Sequence, residues 1–154
     1  MTPPPVDEPD VTPVDLRLEL VLVPVSDVDR AKAFYTEQVG FRLDVDTRPT
    51  EQLRVVQMTP PGSACSITIG EGLGLAEPGS IKGVHLVVTD IVVAREELAA
   101  RGVGVSEVRH FDPGTGSWRA GPDPARTDYA SFADFSDPDG NSWVLQEVGW
   151  AGDA

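Results

Sequence analysis

The chain contains one unit of strand, helix and strands twice, and this repeat constrains its fold more than any other feature. In the first copy an apolar segment around Leu20 leads through Asp27 into a helical pattern that stops at Gly40. The second copy repeats this order over residues 83–102. A repeat of this length predicts one supersecondary unit stacked on its copy, with a shared surface between the two.

Each copy has the pattern β-α-β-β-β. Ser26 or Asp27, and Thr89 or Asp90, are predicted helix N-caps because a short oxygen-bearing side chain accepts from the first free amides. The predicted strands are 16–25, 42–46, 53–58 and 65–69 in the first copy and 84–88, 105–109, 129–135 and 142–148 in the second. We therefore expect an α+β protein in which tandem modules, 16–78 and 79–150, form a curved mixed sheet around a central cavity, as one structural domain.

Two segments lack a regular pattern. Residues 1–15 are rich in Pro, Asp and Glu with few large apolar side chains, which predicts a disordered N-terminal arm. Residues 110–128 contain Gly, Pro, Trp118 and Arg119 without periodicity, which predicts a long loop. The loop is expected to be either a lid that faces a ligand or a disordered connection.

The composition of the 154-residue chain limits its partners. Its net charge of -13 argues against nucleic-acid binding, because affinity for phosphate depends on Lys and Arg. A neutral or cationic small ligand fits this charge, as does a merely well-solvated surface. The single cysteine, Cys65, excludes an internal disulfide and a multi-thiolate zinc site. With no bilayer-length apolar run and no secretion signal, we expect a cytoplasmic protein without a membrane partner.

Side-chain alternation along the strands predicts a binding site. One face of the strand at 84–88 is entirely apolar, and His85 lies on the opposite face. The apolar faces should pack on helices, so the polar faces should look into a common hollow. The alternative is that these groups are satisfied core or edge residues. The predicted ligand-binding residues are Ser66, Thr68, His85, Trp118 and Gln146.

Three segments resemble the vicinal oxygen chelate superfamily: residues 24–35, Gly40-Phe41 and residues 137–141. That superfamily includes glyoxalases, extradiol dioxygenases, thiol-transferring fosfomycin resistance enzymes and bleomycin-binding resistance proteins. The resemblance extends over nearly everything from Leu16 to Val148. It implies the two-module fold, but it says less about function, because function resides in the site. We also expect a homodimer, and modules in this family pair within one chain or are exchanged between chains.

The resemblance also places the metal ligands of the family. They stand seven residues before each capping aspartate and four residues after each turn glycine. These positions hold Leu20, Ser66, Gly83 and Val144. A divalent transition ion needs three or more imidazole, thiolate or carboxylate ligands, so we expect neither a metal nor another cofactor.

The expected function is metal-free binding of a small organic molecule in the inter-module cavity, such as antibiotic sequestration. Trp118, Tyr129 and Phe132 are candidates to stack on a planar ligand; the alternative is core packing, which is the preferred interpretation for Phe132. The main alternative is a glyoxalase-like lyase or isomerase that acts on a small oxygenated metabolite, with His85 as the proton carrier. Lesser alternatives are a metal-dependent glyoxalase or dioxygenase, an interaction module, and an unusual metal site. The unusual site would use both histidines, His85 and His110, with Asp112 or Glu147.

Overall fold

A computed structural model describes residues 2–5 and 13–152 of the chain. The first module contains β1 (Leu20–Leu22), α1 (Val28–Ala33), a π-helical continuation of α1 (Phe34–Val39), β2 (Arg42–Thr50), β3 (Leu53–Thr59) and β4 (Ser66–Glu71). The second contains β5 (Val84–Val88), α2 (Ile91–Ala100), β6 (Arg109–Asp112), β7 (Ser117–Ala120), β8 (Ser131–Ser136) and β9 (Ser142–Glu147).

Each module forms its own mixed sheet. Sheet 1 has the order β1-β4-β3-β2, and sheet 2 has the order β5-β9-β8-β6-β7. In each sheet the first strand runs parallel to its neighbour, and the other pairs are antiparallel. The α+β class and the two tandem modules are thus confirmed, but a single chain builds two separate sheets rather than one continuous curved sheet.

The predicted helix caps are present in both modules. The Asp27 carboxylate accepts a hydrogen bond from the Arg30 amide at 3.1 Å. Asp90 accepts from the Val92 and Val93 amides at 3.1 and 3.2 Å. Gly40 ends the first helix with a φ of 93°, a left-handed conformation that glycine adopts without strain. The N-cap of each helix could be predicted from the sequence because its hydrogen bonds involve only residues two or three positions away.

The segment predicted to be a long loop contains a β-hairpin, so that prediction was wrong over its first part. β6 and β7 pair antiparallel, with Phe111 opposite Trp118. The Asp112 carboxylate accepts from the Gly114 amide at 2.9 Å and so stabilises the turn. The second module therefore has five strands, and the strand expected at 105–109 begins only at Arg109.

The first strand is shorter than predicted. It was expected to run from Leu16, but β1 covers only Leu20–Leu22. Its partner β4 begins at Ser66, which lies opposite Leu20, so the preceding residues have no strand beside them in the described structure. Leu16 and Leu18 are consequently 90% and 71% exposed. Most of the predicted arm, residues 1–15, lies outside the described residues.

A buried hydrogen-bonded group joins the two modules. Tyr35, from the π-helical segment, donates its hydroxyl proton to Asp137 at 2.8 Å, and the Trp143 indole donates to the Tyr35 oxygen at 3.0 Å. Burial, reinforced by the Asp137 charge, raises the pKa of Tyr35 well above its ordinary value, so this hydroxyl stays protonated. The rings of Phe34 and Phe135 pack beside this group at 6.3 Å.

The turn at residues 137–141 fastens the second module to the first. Asn141 donates from its amide to the Pro24 carbonyl at 2.8 Å. The Ser26 hydroxyl donates to Asp139 at 2.5 Å, and Arg30 donates to the Pro138 carbonyl at 3.1 Å. This motif, which carried part of the family resemblance, therefore serves here to hold the modules together.

Within the described ranges, neither helix combines the length and the apolar character needed to cross a bilayer.

Candidate functional site

Each sheet has a covered face and an open face. The covered faces contribute to one buried core together with the helices: Val56, Met58, Ile67 and Ile69 from sheet 1, and Ala133, Phe135, Trp143 and Leu145 from sheet 2. Because side chains alternate along a strand, the remaining residues form open faces that point away from this core. All five predicted ligand-binding residues lie on the open faces.

The open face of sheet 1 is defined by Leu20, Leu22, Gln57, Thr59, Ser66 and Thr68. Ser66 and Thr68 are only 5% and 4% exposed. The Thr59 and Ser66 hydroxyls lie 2.6 Å apart, and the Thr59 hydroxyl also hydrogen-bonds to the Asp44 carboxylate. This face therefore presents a row of hydroxyl groups anchored on one carboxylate.

The Thr68 hydroxyl is the exception to the pairing of buried polar groups. Among the described residues it is the one buried side-chain polar atom that has no hydrogen-bond partner. Leu22 and Gln57 flank it in the strand register. A buried hydroxyl without a partner costs about 1–3 kcal/mol, so the position is one that a second molecule can stabilise.

The open face of sheet 2 carries a row of aromatic side chains. The Trp118 ring packs edge-on against both Phe111 and Phe132, with ring centres 5.7 Å apart in each case. The Arg109 guanidinium lies 5.4 Å from the centre of the Trp118 ring. Trp118 nevertheless remains 55% exposed. The aromatic row is therefore fixed in position but free to contact a flat ligand.

His85 and Gln146 lie on the same open face, two residues apart in register. His85 is opposite Val144, and Val87 is opposite Gln146. The His85 ring nitrogen Nδ1 is 2.8 Å from the Gly83 carbonyl, which only accepts, so Nδ1 carries the proton. In the neutral ring the other nitrogen, Nε2, is then an acceptor. Gln146 donates to the Tyr129 carbonyl at 3.0 Å.

A strained loop borders this face. Arg126 and Tyr129 have φ values of 50° and 67°, which side-chain-bearing residues rarely adopt. Arg126 is held by Glu147, which is fully buried, at 2.5 Å, and its guanidinium stacks 4.2 Å from the Trp150 ring centre. Glu147 also accepts from the Ile91 amide at 3.0 Å, so one carboxylate fixes both the loop and the start of α2.

The strand register differs between the modules at the family's metal positions. In sheet 1, Leu20 lies opposite Ser66. In sheet 2, His85 rather than Gly83 lies opposite Val144, although Gly83 stands as far before Asp90 as Leu20 does before Asp27. With either Gly83 or His85 as the second-module position, the set offers at most one imidazole and one neutral hydroxyl. One imidazole and one neutral hydroxyl do not fit a divalent transition ion, which needs three or more protein ligands.

The alternative metal site built on both histidines does not form. Nδ1 of His110 lies 2.7 Å from the Gly121 carbonyl, and Glu147 is engaged by Arg126. Across residues 2–5 and 13–152 there is no group of three or more His, Cys, Asp or Glu side chains arranged to hold a metal ion.

Within one chain the five predicted residues form two groups. Ser66 and Thr68 belong to sheet 1, while His85, Trp118 and Gln146 belong to sheet 2. A cleft of about 440 Å³ does lie between the modules, where the end of the first helix and the turn at Pro60-Pro61 face β5 and α2. None of the five residues lines it.

Several residues of the open faces escaped prediction. Phe111 was hidden because the hairpin was taken for a loop, although aromatic residues on either side of a Pro- and Gly-containing turn are a hairpin signal. Arg109 ended the strand predicted at 105–109, and its contact with Trp118 gave no local signal. Asp44 and Thr59 gave no local signal, because their contact bridges two strands.

Two tandem modules of the β-α-β-β-β type, each with a mixed sheet, are the fold of the vicinal oxygen chelate superfamily, and the candidate binding groups lie on the open faces of the two sheets. Residues 17–145 match the family model of the Glyoxalase/Bleomycin resistance protein/Dioxygenase superfamily, and the chain belongs to this superfamily. No protein of curated function matches the chain.

Solved structures similar to this chain include two from Streptomyces sp. CB03234. TnmS3, an antibiotic binding protein, is 32% identical, with 88% of this chain and 98% of that chain covered and a TM-score of 0.68. A glyoxalase/bleomycin resistance protein is 34% identical, with 85% and 100% covered and a TM-score of 0.64. A superfamily member from Sphaerobacter thermophilus DSM 20745 is 27% identical, with 87% and 98% covered and a TM-score of 0.67.

Proposed function

We propose that this protein binds a small planar organic molecule without a metal, in a hollow formed between the open face of sheet 1 of one copy and the open face of sheet 2 of a second copy. The row of Phe111, Trp118 and Phe132 carries the proposal. An aromatic side chain that is packed on both edges and still 55% exposed is ready to stack on a ligand.

Antibiotic sequestration is the biological role that fits this activity. The similarity to TnmS3, an antibiotic binding protein, supports it. The residues at the family's metal positions support binding rather than metal chemistry, because they offer at most one imidazole, from His85, and no carboxylate or thiolate. The net charge of -13 favours neutral or cationic ligands over anionic ones.

The distribution of the candidate residues supports a homodimer. In one chain Ser66 and Thr68 lie on a different sheet from His85, Trp118 and Gln146, and both open faces point away from the core. β1 and β5 are edge strands whose outer sides are available for pairing. Leu22 and Val87, beside these edges, are 43% and 59% exposed. A second copy would cover these side chains and bring the two groups of residues together.

Calorimetric titration with two probes tests the proposal. The probes are bleomycin, a cationic glycopeptide, and 2-naphthol, a small planar aromatic. We expect at least one to bind the wild type, and Trp118→Ala to weaken that binding by about tenfold because the stacking surface is lost.

The matched control is Val93→Ala, which removes an apolar side chain that is 48% exposed on α2, away from the open faces. Its affinity should equal that of the wild type. Sedimentation at the same concentrations should show a dimer. Failure of both probes to bind, or unchanged binding by a folded Trp118→Ala protein, would overturn the proposal.

A further inference from the structure

The carboxylate of Asp44 stands at an irregularity in β2. The pairing of β2 with β3 shifts between Leu43 and Val45, so Asp44 is an extra residue without a partner opposite it. Such bulges redirect a side chain, and here the Asp44 carboxylate reaches the Thr59 hydroxyl on the open face of sheet 1. Arg42 donates to the other carboxylate oxygen at 2.8 Å.

Asp44 remains ionised at neutral pH. The hydrogen bond from Thr59, assisted by Arg42, lowers its pKa below the ordinary value. An ionised carboxylate only accepts hydrogen bonds, so the Thr59 hydroxyl must donate to Asp44.

The direction of the next hydrogen bond follows from the first. A hydroxyl has one proton, and Thr59 has used its proton on Asp44. The 2.6 Å contact between the two hydroxyls therefore requires Ser66 to donate to Thr59. The Ser66 oxygen is left with lone pairs and no free proton. Toward a ligand, Ser66 is an acceptor.

The buried hydroxyl of Thr68 is a second, independent observation that points to a polar ligand on this face. Its side chain is two residues from Ser66 on the same strand face, it is 4% exposed, and its hydroxyl has no partner in the described part of the chain. Gln57, which faces Thr68 in register, is half-buried.

We propose that the open face of sheet 1 selects ligands that carry a hydrogen-bond donor beside a planar ring, such as a phenol hydroxyl or an aromatic amine, and that Asp44 and Thr59 impose this preference by fixing Ser66 as an acceptor. Asp44 and Thr59 are positioning residues, because they act through Ser66. The inference rests on the proposed binding function and adds the chemical class of the ligand.

Three matched probes measure the preference by calorimetry: 2-naphthol and 2-naphthylamine, which donate, and 2-methoxynaphthalene, which only accepts. We expect the two donors to bind the wild-type dimer about tenfold more tightly than the methoxy probe, which is the effect of one hydrogen bond to a buried group. Equal affinities for all three would overturn the inference.

The variants change the direction of the hydrogen bonds that link Asp44, Thr59 and Ser66. In Asp44→Asn the side-chain amide can donate to Thr59, Thr59 can then donate to Ser66, and Ser66 can donate outward. We expect the preference to disappear or to reverse in favour of 2-methoxynaphthalene. Thr59→Val frees the Ser66 proton and should act in the same direction, whereas Ser66→Ala should bind all three probes equally.

The control is Thr47→Val, an exposed β2 residue whose hydroxyl has no described partner, and it should keep the wild-type preference. If Asp44 has only a structural role, Asp44→Asn should weaken the binding of all three probes by the same factor, and that result would overturn the inference. Because the three variants are measured separately, poor folding of one of them still leaves the other two as tests. Binding of all three probes with equal affinity, weakened about tenfold by Trp118→Ala, leaves the proposed function standing and removes only this inference. Absence of binding by all three probes and by bleomycin overturns both.

Discussion

The covered and open faces of the two sheets differ in how completely their polar groups are paired. On the covered side the Tyr35 hydroxyl, the Trp143 indole and the Glu147 carboxylate are all buried and all have partners. On the open side the Thr68 hydroxyl is buried without a partner, and Trp118 is exposed. The covered faces are complete within one chain, whereas the open faces have groups left for a second molecule. Changes on the covered faces should therefore cost stability, and changes on the open faces should cost binding.

The largest effect is expected from Arg126→Met. This change leaves the fully buried Glu147 carboxylate without its guanidinium, and breaking a buried ion pair from one side costs about 3–5 kcal/mol. The free energy of unfolding from urea titration measures the loss. Arg119→Met, which removes an exposed partner of Asp112 at 3.5 Å, should cost less than about 0.5 kcal/mol. A similar cost for both variants would show that burial of the Glu147 carboxylate does not determine the cost of removing its partner.

A double variant sharpens this test. Arg126→Met with Glu147→Gln removes the uncompensated charge but keeps an oxygen that accepts from the Ile91 amide. It should recover part of the stability that Arg126→Met loses. If it is less stable than the single variant, the buried charge is not the cause.

An intermediate effect is expected from Tyr35→Phe. Without the hydroxyl, the Trp143 indole loses its acceptor and Asp137 loses a donor, both in the buried region between the modules. The free energy of unfolding should fall by about 1–3 kcal/mol. Tyr129→Phe, at a side chain that is 60% exposed, should be neutral in the same titration. Equal stability of both variants would show that the inter-module group contributes little.

The smallest effect is expected at Asp46, on the rim of the covered face of sheet 1. Hydrogen bonds from Arg54 and then Lys32 lower the pKa of Asp46 from 3.8 to about 2. A pKa that is lower in the folded state gives stability that is present above pH 3.8 and is lost as the pH falls through about 2. Asp46→Asn should therefore cost about 1 kcal/mol at pH 7, and the difference from the wild type should shrink on acidification.

The control for this last change is Asp15→Asn, whose carboxylate pairs with Arg17 at 86% exposure. It should show no such pH dependence. A cost for Asp46→Asn that stays constant from pH 7 to pH 2 would contradict the ion-pair explanation.

Features that depend on near neighbours were predictable from the sequence. The caps at Asp27 and Asp90 and the left-handed end at Gly40 follow from the chemistry of single turns. The faces of the strands were also predictable, because alternation is a property of any strand. The hairpin at residues 109–120 was missed since its turn residues resemble those of an irregular loop, although the paired Phe111 and Trp118 mark it.

Features that depend on contacts between distant segments were not predictable. The count from Asp90 places the family position at Gly83, but the pairing of two distant strands brings His85 opposite Val144. The bulge that directs Asp44 at Thr59 depends on how two strands pair. The separation of Ser66 and Thr68 from His85 and Gln146 depends on how the sheets sit around the helices, which no local pattern encodes.

The docked turn at residues 137–141 has a consequence for how the polypeptide can be divided. Because its contacts with Pro24, Ser26 and Arg30 join the modules without a covalent link, the exposed stretch at 76–78 carries little of that association. A first-module polypeptide that ends in this stretch and a second-module polypeptide that begins in it are expected to reassemble when they are produced together. The association of the two halves would then respond to any molecule that separates the modules or holds them together.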